Sequence, residues 1–119
     1  MTSLVSFINN FKRDIVDTEN EDECKKFFFK SITHLMVSLE ITSSSILDEK
    51  IDFLKLRLSI PSAIGTEKQV KNVLNEGIKK KFYLKKNYLT KNKKPYYRIS
   101  KKFSLMITNW YLDNKSEFN

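Results

Sequence analysis

Hydrophobic residues recur at helical spacing over most of the chain. The first stripe predicts a helix over residues 3–16. Its members are Leu4, Ile8, Phe11 and Ile15. A second stripe predicts a longer core helix over residues 21–41, after an acidic connection. Its members are Cys24, Phe28, Ile32, Leu35, Met36 and Leu39.

Turn-forming residues separate the helices in the middle of the chain. The Thr and Ser residues at 42–45 predict a turn, and a third helix is predicted from Ser45 to about Leu58. Its apolar members are Ile46, Leu47, Ile51, Phe53, Leu54, Leu56 and Leu58. Pro61 ends this helix, and Gly65 permits the turn that follows.

A fourth helix is predicted over residues 66–80, because Thr66 and Gln69 have the spacing of a capping box. One side of this helix is apolar and carries Val70, Val73, Leu74 and Ile78. The opposite side is polar and carries Lys68, Asn72, Asn75 and Lys79. Such a helix packs one face on a core and leaves the other in water.

The hydrophobic period then changes to that of strands. Inward-facing and outward-facing side chains alternate over residues 81–86 and 96–100, which predicts a β-hairpin. In the first strand, Phe82 and Leu84 are predicted to face inward and Tyr83 outward. In the second strand, Tyr97 and Ile99 face inward and Tyr96 and Arg98 outward. A last helix, ending near Asn114, carries the apolar face Phe103, Met106, Ile107, Trp110 and Tyr111.

These elements predict a mainly α fold with a small β-hairpin, of the α+β class. With 119 residues, two glycines and two prolines, the chain is long enough for one compact domain over 1–119. We divide it into N-terminal helices at 1–41, a core at 43–102 and a C-terminal helix at 103–119.

Positive charge is concentrated in the second half of the chain. The net charge is +8, yet residues 1–64 contain 8 basic and 10 acidic residues. Residues 65–102 contain 13 basic residues against only Glu67 and Glu76. The chain has 19 lysines and 3 arginines, and a codon bias that favours lysine would raise the number of lysines. Such a bias does not explain why acidic residues are nearly absent from one segment. A surface of one sign attracts polyanions such as nucleic acid or anionic membrane.

Several function classes lack the residues that they need. No apolar run approaches the roughly 20 residues of a membrane span, and the N-terminus lacks a signal-peptide pattern. One cysteine, Cys24, excludes an internal disulfide, so we expect a cytoplasmic protein with that thiol in its core. The single histidine, His34, is expected to be a partly buried, hydrogen-bonded residue. We expect no enzyme activity, metal site or cofactor, since no catalytic or phosphate-loop motif occurs.

The order of elements, with a turn between two helices and a basic hairpin after the second, predicts a winged helix-turn-helix. Residues 66–80 would be the recognition helix in the major groove, and residues 85–98 a basic wing on the backbone or minor groove. Gln69 and Asn72 are the candidates for reading bases, since amide side chains pair with adenine. The candidates for backbone and wing contact are Lys68, Lys71, Lys79, Lys91, Lys93, Lys94 and Arg98.

The segments IPSAIGTEKQVKNVLNEGIKKKFYLKK and KNKKPYYRISKKFSLMITNWYL resemble the winged-helix core of MarR-like bacterial transcriptional regulators. The resemblance covers roughly residues 43–112. It implies DNA contact by Thr66, Lys68, Gln69 and Asn72 and wing contact by Lys93 and Lys94. The chain departs from the family at Lys81, where glycine is common, and in the wing, where an acidic residue and an arginine are replaced by KNKK.

The resemblance also implies a homodimer through the N- and C-terminal helices, with two recognition helices on half-sites roughly 34–36 Å apart. Alternatively, the two terminal stripes simply complete the core of one chain. For function, the principal expectation is a sequence-specific, double-stranded DNA-binding regulator of transcription. The alternative is a winged-helix interaction module whose basic face meets an acidic protein in a larger assembly.

Overall fold

The computed structural model describes residues 4–5, 8–9, 23–88 and 93–114. Within them the chain is mainly helical with one antiparallel hairpin, so the α+β class is confirmed. The named elements are α1 (Glu23–Phe28), α2 (Ile32–Ile46), α3 (Phe53–Ser59), α4 (Glu67–Lys79), β1 (Tyr83–Lys86), β2 (Tyr96–Ile99) and α5 (Lys101–Asn114). Phe11 and Ile15 of the first predicted stripe lie outside the described residues, and Leu4 and Ile8 are helical and exposed.

The helix predicted over 21–41 is two helices, because Ser31 interrupts it. Ser31 has an extended backbone, and its hydroxyl accepts a hydrogen bond from the His34 N–H. Ser31 is therefore the N-cap of a new helix, α2. The interruption changes which face of the second helix is buried. Ile32 and Leu39, both predicted to lie in the core, are 56% and 38% exposed, whereas Val37 and Ile41 are fully buried.

The turn predicted at 42–45 is wrong, since α2 continues through it to Ile46. Two hydroxyls in this stretch fold back on the helix: Thr42 donates to the carbonyl of Ser38 at 2.6 Å, and Ser45 donates to that of Ile41 at 2.7 Å. Hydroxyls that bond to the carbonyl four residues earlier are compatible with a helix interior. The helix also runs across residue 42, the predicted boundary between the N-terminal helices and the core segment.

α2 ends with a left-handed residue that is not glycine. Asp48 has φ of 54°, the N–H of Glu49 bonds to the carbonyl of Ser44, and the N–H of Asp48 bonds to that of Ser45. This is the Schellman arrangement. The next helix therefore starts at Phe53, with Asp52 as its N-cap, rather than at Ser45 as predicted.

The predicted capping box of α4 is confirmed. The Gln69 N–H donates to the Thr66 hydroxyl at 3.3 Å, and the Thr66 N–H donates to the Gln69 side-chain oxygen at 2.8 Å. At the other end Lys81 has φ of 64°, and the N–H of Phe82 bonds to the carbonyl of Gly77. Lys81 thus occupies a backbone conformation that favours glycine.

The hairpin is antiparallel, with Tyr83 opposite Ile99 and Lys86 opposite Tyr96. Ile51 forms a single bridge with Tyr97 on the other side of β2, with a 3.0 Å hydrogen bond from the Tyr97 N–H. The segment before α3 is therefore attached to the sheet beside β2. This attachment joins the hairpin to the helices.

The prediction that Tyr83 faces outward is wrong: it is 1% exposed, and Leu84 is only half-buried. The ring packs on Gly77 of α4, which has no side chain to exclude it. It also packs edge-to-face on Phe27 and Phe103, with ring centroids 5.5 and 5.7 Å away. Edge-to-face aromatic pairs of this kind stabilise a core beyond the area that they bury.

The C-terminal stripe mainly completes the core of the chain itself. Phe103 and Met106 are buried, and Ile107 and Trp110 pack against the core. The exposed apolar residues of α5 are Leu105, Tyr111 and Leu112. Among the described helices, none is both long enough and apolar enough to cross a bilayer.

Candidate nucleic-acid interface

α4 is held by one face and exposed on the other. Its inner face consists of Val70, Val73, Leu74 and Gly77, all buried. Its outer face consists of Lys68, Lys71, Asn72, Asn75 and Lys79, all exposed. The outer set recurs at helical spacing, so one side of α4 presents three ammonium groups and two amides to solvent.

The two candidates at the start of α4 are engaged in its capping box. Thr66 uses its hydroxyl as an acceptor, and Gln69 uses its amide oxygen. A bidentate pairing with adenine needs both the oxygen and the nitrogen of an amide. Gln69 would therefore have to break the cap to read a base, whereas the exposed Asn72 has no such constraint in the described structure.

The two acidic residues of the basic segment are paired inside the chain. A carboxylate oxygen of Glu67 lies 3.5 Å from Arg57 of α3, across the turn between the two helices. Glu76 lies 2.9 Å from Lys30 and 3.3 Å from Lys80. Each carboxylate has a basic partner, so neither adds an isolated negative charge to the surface of α4.

Glu76 also joins α4 to α2. Its second carboxylate oxygen lies 2.9 Å from His34 Nε2, and His34 Nδ1 lies 2.6 Å from the Ser31 hydroxyl. Burial by itself raises the pKa of Glu76, but the hydrogen bonds from His34, Lys30 and Lys80 outweigh it and lower the pKa to about 2. The expectation of a hydrogen-bonded His34 is confirmed, although the residue is buried rather than partly buried, and its partner 42 positions away was missed.

Many lysines of the basic segment are exposed without a nearby carboxylate. Over the described residues, the side chains in this state have no acidic oxygen within 4.0 Å. They are Lys68, Lys71, Lys79, Lys81, Lys85, Lys86, Lys93, Lys94, Lys101 and Lys102. Cations without an acidic partner in the chain are those that a polyanion neutralises at least cost.

The hairpin candidates separate into three groups. Lys93 and Lys94 are exposed, and Lys91 lies outside the described residues. Arg98 is instead engaged within the chain: its guanidinium donates to Asp48 at 2.9 Å and to the carbonyl of Ser45 at 3.2 Å. It holds β2 against the end of α2, so its donors are partly used before any ligand arrives.

A groove of about 700 Å³ lies beside the hairpin, between α2, α3 and the segment that joins them. Lys50 and Tyr88 line one part of it. The Lys50 ammonium lies 4.8 Å from the centroid of the Tyr88 ring, in the range of a cation–π contact. Lys50 has no role in the prediction from the sequence, because residues 38 positions apart carry no local signal of contact.

The described residues contain no group of three or more His, Cys, Asp and Glu side chains arranged to hold a metal ion. Cys24 is fully buried in the aromatic core. The site that this part of the structure presents is therefore one of exposed ammonium and amide groups on a helix and a hairpin.

Comparison with known proteins found no matching family model, no matching curated protein and no matching solved structure. The resemblance to MarR-like regulators accordingly remains a hypothesis from the sequence.

Proposed function

We propose that this protein is a sequence-specific, double-stranded DNA-binding regulator of transcription with a MarR-like winged helix-turn-helix. In this proposal α3 and α4 are the helix-turn-helix, and α4 lies in the major groove. The β1–β2 hairpin is the wing, and it contacts the backbone or the minor groove. The protein acts by binding and carries out no catalysis.

The observation that carries the proposal is the division of α4 into two faces. Val70, Val73, Leu74 and Gly77 are buried and anchor the helix. Its outer face offers Lys68 and Asn72 without an internal partner in the described structure. A helix enters the major groove only in this condition, with one face anchored and the other free and polar. The link between Arg57 and Glu67 supports the proposal further, because it joins α3 to the start of α4.

Lys68 and Asn72 of α4 have different roles in the proposal. Lys68 contacts phosphate, which supplies affinity on any sequence. Asn72 pairs with a base edge, which supplies roughly 1–3 kcal/mol of discrimination at one position. Gln69 and Thr66 form the cap that positions the start of the helix against the backbone.

Selection of bound duplexes from a random pool with the purified protein tests the proposal. We expect an enriched motif, and binding that weakens steeply with salt because counterions are released. Lys68→Ala should weaken binding to the same extent on all duplexes. Asn72→Ala should relax preference at particular base pairs. Lys55→Ala is the matched control, since Lys55 is an exposed lysine of α3 to which the proposal assigns no DNA contact.

Two results would overturn this assignment. If no duplex is enriched and binding does not depend on salt, the protein is not a DNA-binding regulator. Capture of an acidic protein under the same conditions would then favour the interaction-module alternative. If Asn72→Ala retains the full preference of the wild type, α4 reads bases through other residues.

The proposal includes a homodimer formed through the N- and C-terminal helices. Because Phe103 and Met106 are used in the core, the interface would use the outer side of α5, where Leu105 and Leu112 are 56% and 51% exposed. A palindromic selected motif and a dimeric mass in solution would support it. A monomeric mass at the concentrations that bind duplex would contradict it.

A further inference from the structure

Two tyrosine rings and two lysine ammonium groups meet at the loop end of the hairpin, beyond the pair Lys86–Tyr96. The ring centroids of Tyr88 and Tyr96 are 5.2 Å apart. Lys50 Nζ lies 4.8 Å from the Tyr88 centroid and 5.3 Å from the Tyr96 centroid. Lys93 Nζ lies 5.0 Å from the Tyr88 centroid. All three distances are within the range in which an aromatic face attracts a cation.

The two lysines reach this place from different parts of the chain. Lys93 belongs to the segment between β1 and β2, whereas Lys50 precedes α3. The bridge between Ile51 and Tyr97 brings Lys50 to the edge of the sheet, beside the start of β2. Because both ammonium groups lie within 5.0 Å of one ring centroid, they are less than about 10 Å apart.

These two ammonium groups form no ion pair with the described residues, although Glu40, Asp48 and Glu49 line the same groove as Lys50. No carboxylate there lies within 4.0 Å of either ammonium group, and both lysines are exposed. Arg98 and Lys80, by contrast, have internal carboxylate partners. Two like charges held close together without a counterion attract an anion more strongly than either alone.

We propose that Lys50 and Lys93, held by the rings of Tyr88 and Tyr96, form a clamp for the backbone phosphates of duplex DNA. This inference rests on the proposed function and adds Lys50, which lies outside both the recognition helix and the hairpin, to the contact surface. The rings restrict where the ammonium groups lie, so less side-chain freedom is lost on binding. A phosphate contact of this kind is independent of base sequence.

Salt titration of duplex binding tests the clamp. We expect Lys50→Ala to reduce the slope of log affinity against log salt by about 0.9, as for the loss of one phosphate contact. At 0.1 M salt this corresponds to up to about eightfold weaker binding, equal on all duplexes. Lys55→Ala is the matched control, because Lys55 lines the same groove without contacting the tyrosine rings and should leave the slope unchanged.

Substitution of the ring tests whether Tyr88 positions the lysines. Tyr88→Phe keeps the aromatic face and should bind as the wild type does. Tyr88→Leu removes it and should weaken binding while leaving the salt slope nearly unchanged, since both charges remain. Thermal unfolding of each variant verifies that the fold is retained. Equal affinity of the Leu and Phe variants would overturn the role of the ring.

The clamp and the proposed function fail in distinguishable ways. If Lys68→Ala lowers affinity and slope but Lys50→Ala changes neither, the clamp is wrong and the DNA-binding function stands. Equal effects of Lys50→Ala and Lys55→Ala would also overturn the clamp, because they would reflect general charge alone. If the wild type binds no duplex, both proposals are wrong.

Discussion

The hydroxyls of Tyr83 and Ser38 share a buried hydrogen bond of 2.6 Å that joins β1 to α2 across 45 positions of sequence. Tyr83 is 1% exposed and Ser38 is fully buried. Burial raises the pKa of the Tyr83 phenol, an effect only partly offset by the hydrogen bond to Ser38. The pair fixes the hairpin to the helix that forms the centre of the fold, so it bears on where the proposed wing lies.

Removal of either hydroxyl should destabilise the protein, because the other is left buried without a partner. We expect Tyr83→Phe and Ser38→Ala each to lower the free energy of unfolding by about 1–3 kcal/mol. The double variant should lose less than the sum, since no polar atom is then left unpaired. Urea denaturation of the four proteins measures this cycle. Strict additivity would contradict a direct bond.

Gly77 is required by the ring of Tyr83. A Cβ added at this position would lie 2.2 Å from Cδ2 of that ring, far inside van der Waals contact. We expect Gly77→Ala to lower the free energy of unfolding by about 1–3 kcal/mol or more, although alanine favours helices. Asn75→Ala on the exposed side of α4 is the control and should stabilise slightly. A neutral Gly77→Ala would mean that the ring moves freely.

Lys81 adopts a left-handed backbone conformation that costs a non-glycine residue free energy. We expect Lys81→Gly to raise the free energy of unfolding by up to about 1 kcal/mol, because the strain is relieved. Lys80→Gly is the control, since Lys80 has φ of −82°, so glycine relieves no strain there and also removes the ion pair with Glu76. Thermal unfolding of both variants is the measurement. Destabilisation by Lys81→Gly equal to that of Lys80→Gly would contradict the assigned conformation.

Glu76 should make stability depend on pH in the acid range. Its pKa is about 2 in the folded protein, against 4.5 for the ordinary group, so the folded state favours the carboxylate. The stabilisation is present above pH 4.5 and is lost as pH falls towards 2. The difference in unfolding free energy between wild type and Glu76→Gln should therefore shrink from pH 5 to pH 2.5. A difference that does not change over this range would contradict the lowered pKa.

Arg98 should contribute to the fold more than to DNA binding. The ion pair with Asp48 is exposed, with 91% of the Asp48 side chain accessible, so Arg98→Ala should cost less than about 1 kcal/mol of stability. Its duplex affinity should fall no further than that of Lys55→Ala. A larger, salt-dependent loss measured by fluorescence anisotropy would restore Arg98 to the contact surface.

Local sequence patterns were sufficient where a structure depends on neighbouring residues. The capping box of Thr66 and Gln69 joins residues three apart, and the two faces of α4 follow from a period of 3.6. The hairpin was predicted from the alternation of inward-facing and outward-facing side chains, although the Tyr83 side chain faces the core and not the solvent. That error arose because Gly77, which makes room for the ring, lies on a different element.

Hydrophobicity was a poor guide to α2, and the reason is physical. Its buried face includes Thr33, Ser38 and Thr42, whose hydroxyls bond to the chain and so do not oppose burial. Ser31 caps the helix from within a stretch that has an unbroken apolar pattern. Serine occurs in turns, helix caps and some helix interiors, and the hydrogen-bond partner of its hydroxyl decides which of these forms.

The sequence by itself determined the place of the hairpin between α4 and the last helix, the segregation of positive charge and the polar face of α4, since each can be read from residue types along one stretch of chain. Only the tertiary structure decided that Glu76 meets His34, that Arg98 meets Asp48 and that Lys50 lies on Tyr88. These contacts join residues 38 to 50 positions apart. Their partners are selected by the packing of the whole core, which no local period encodes.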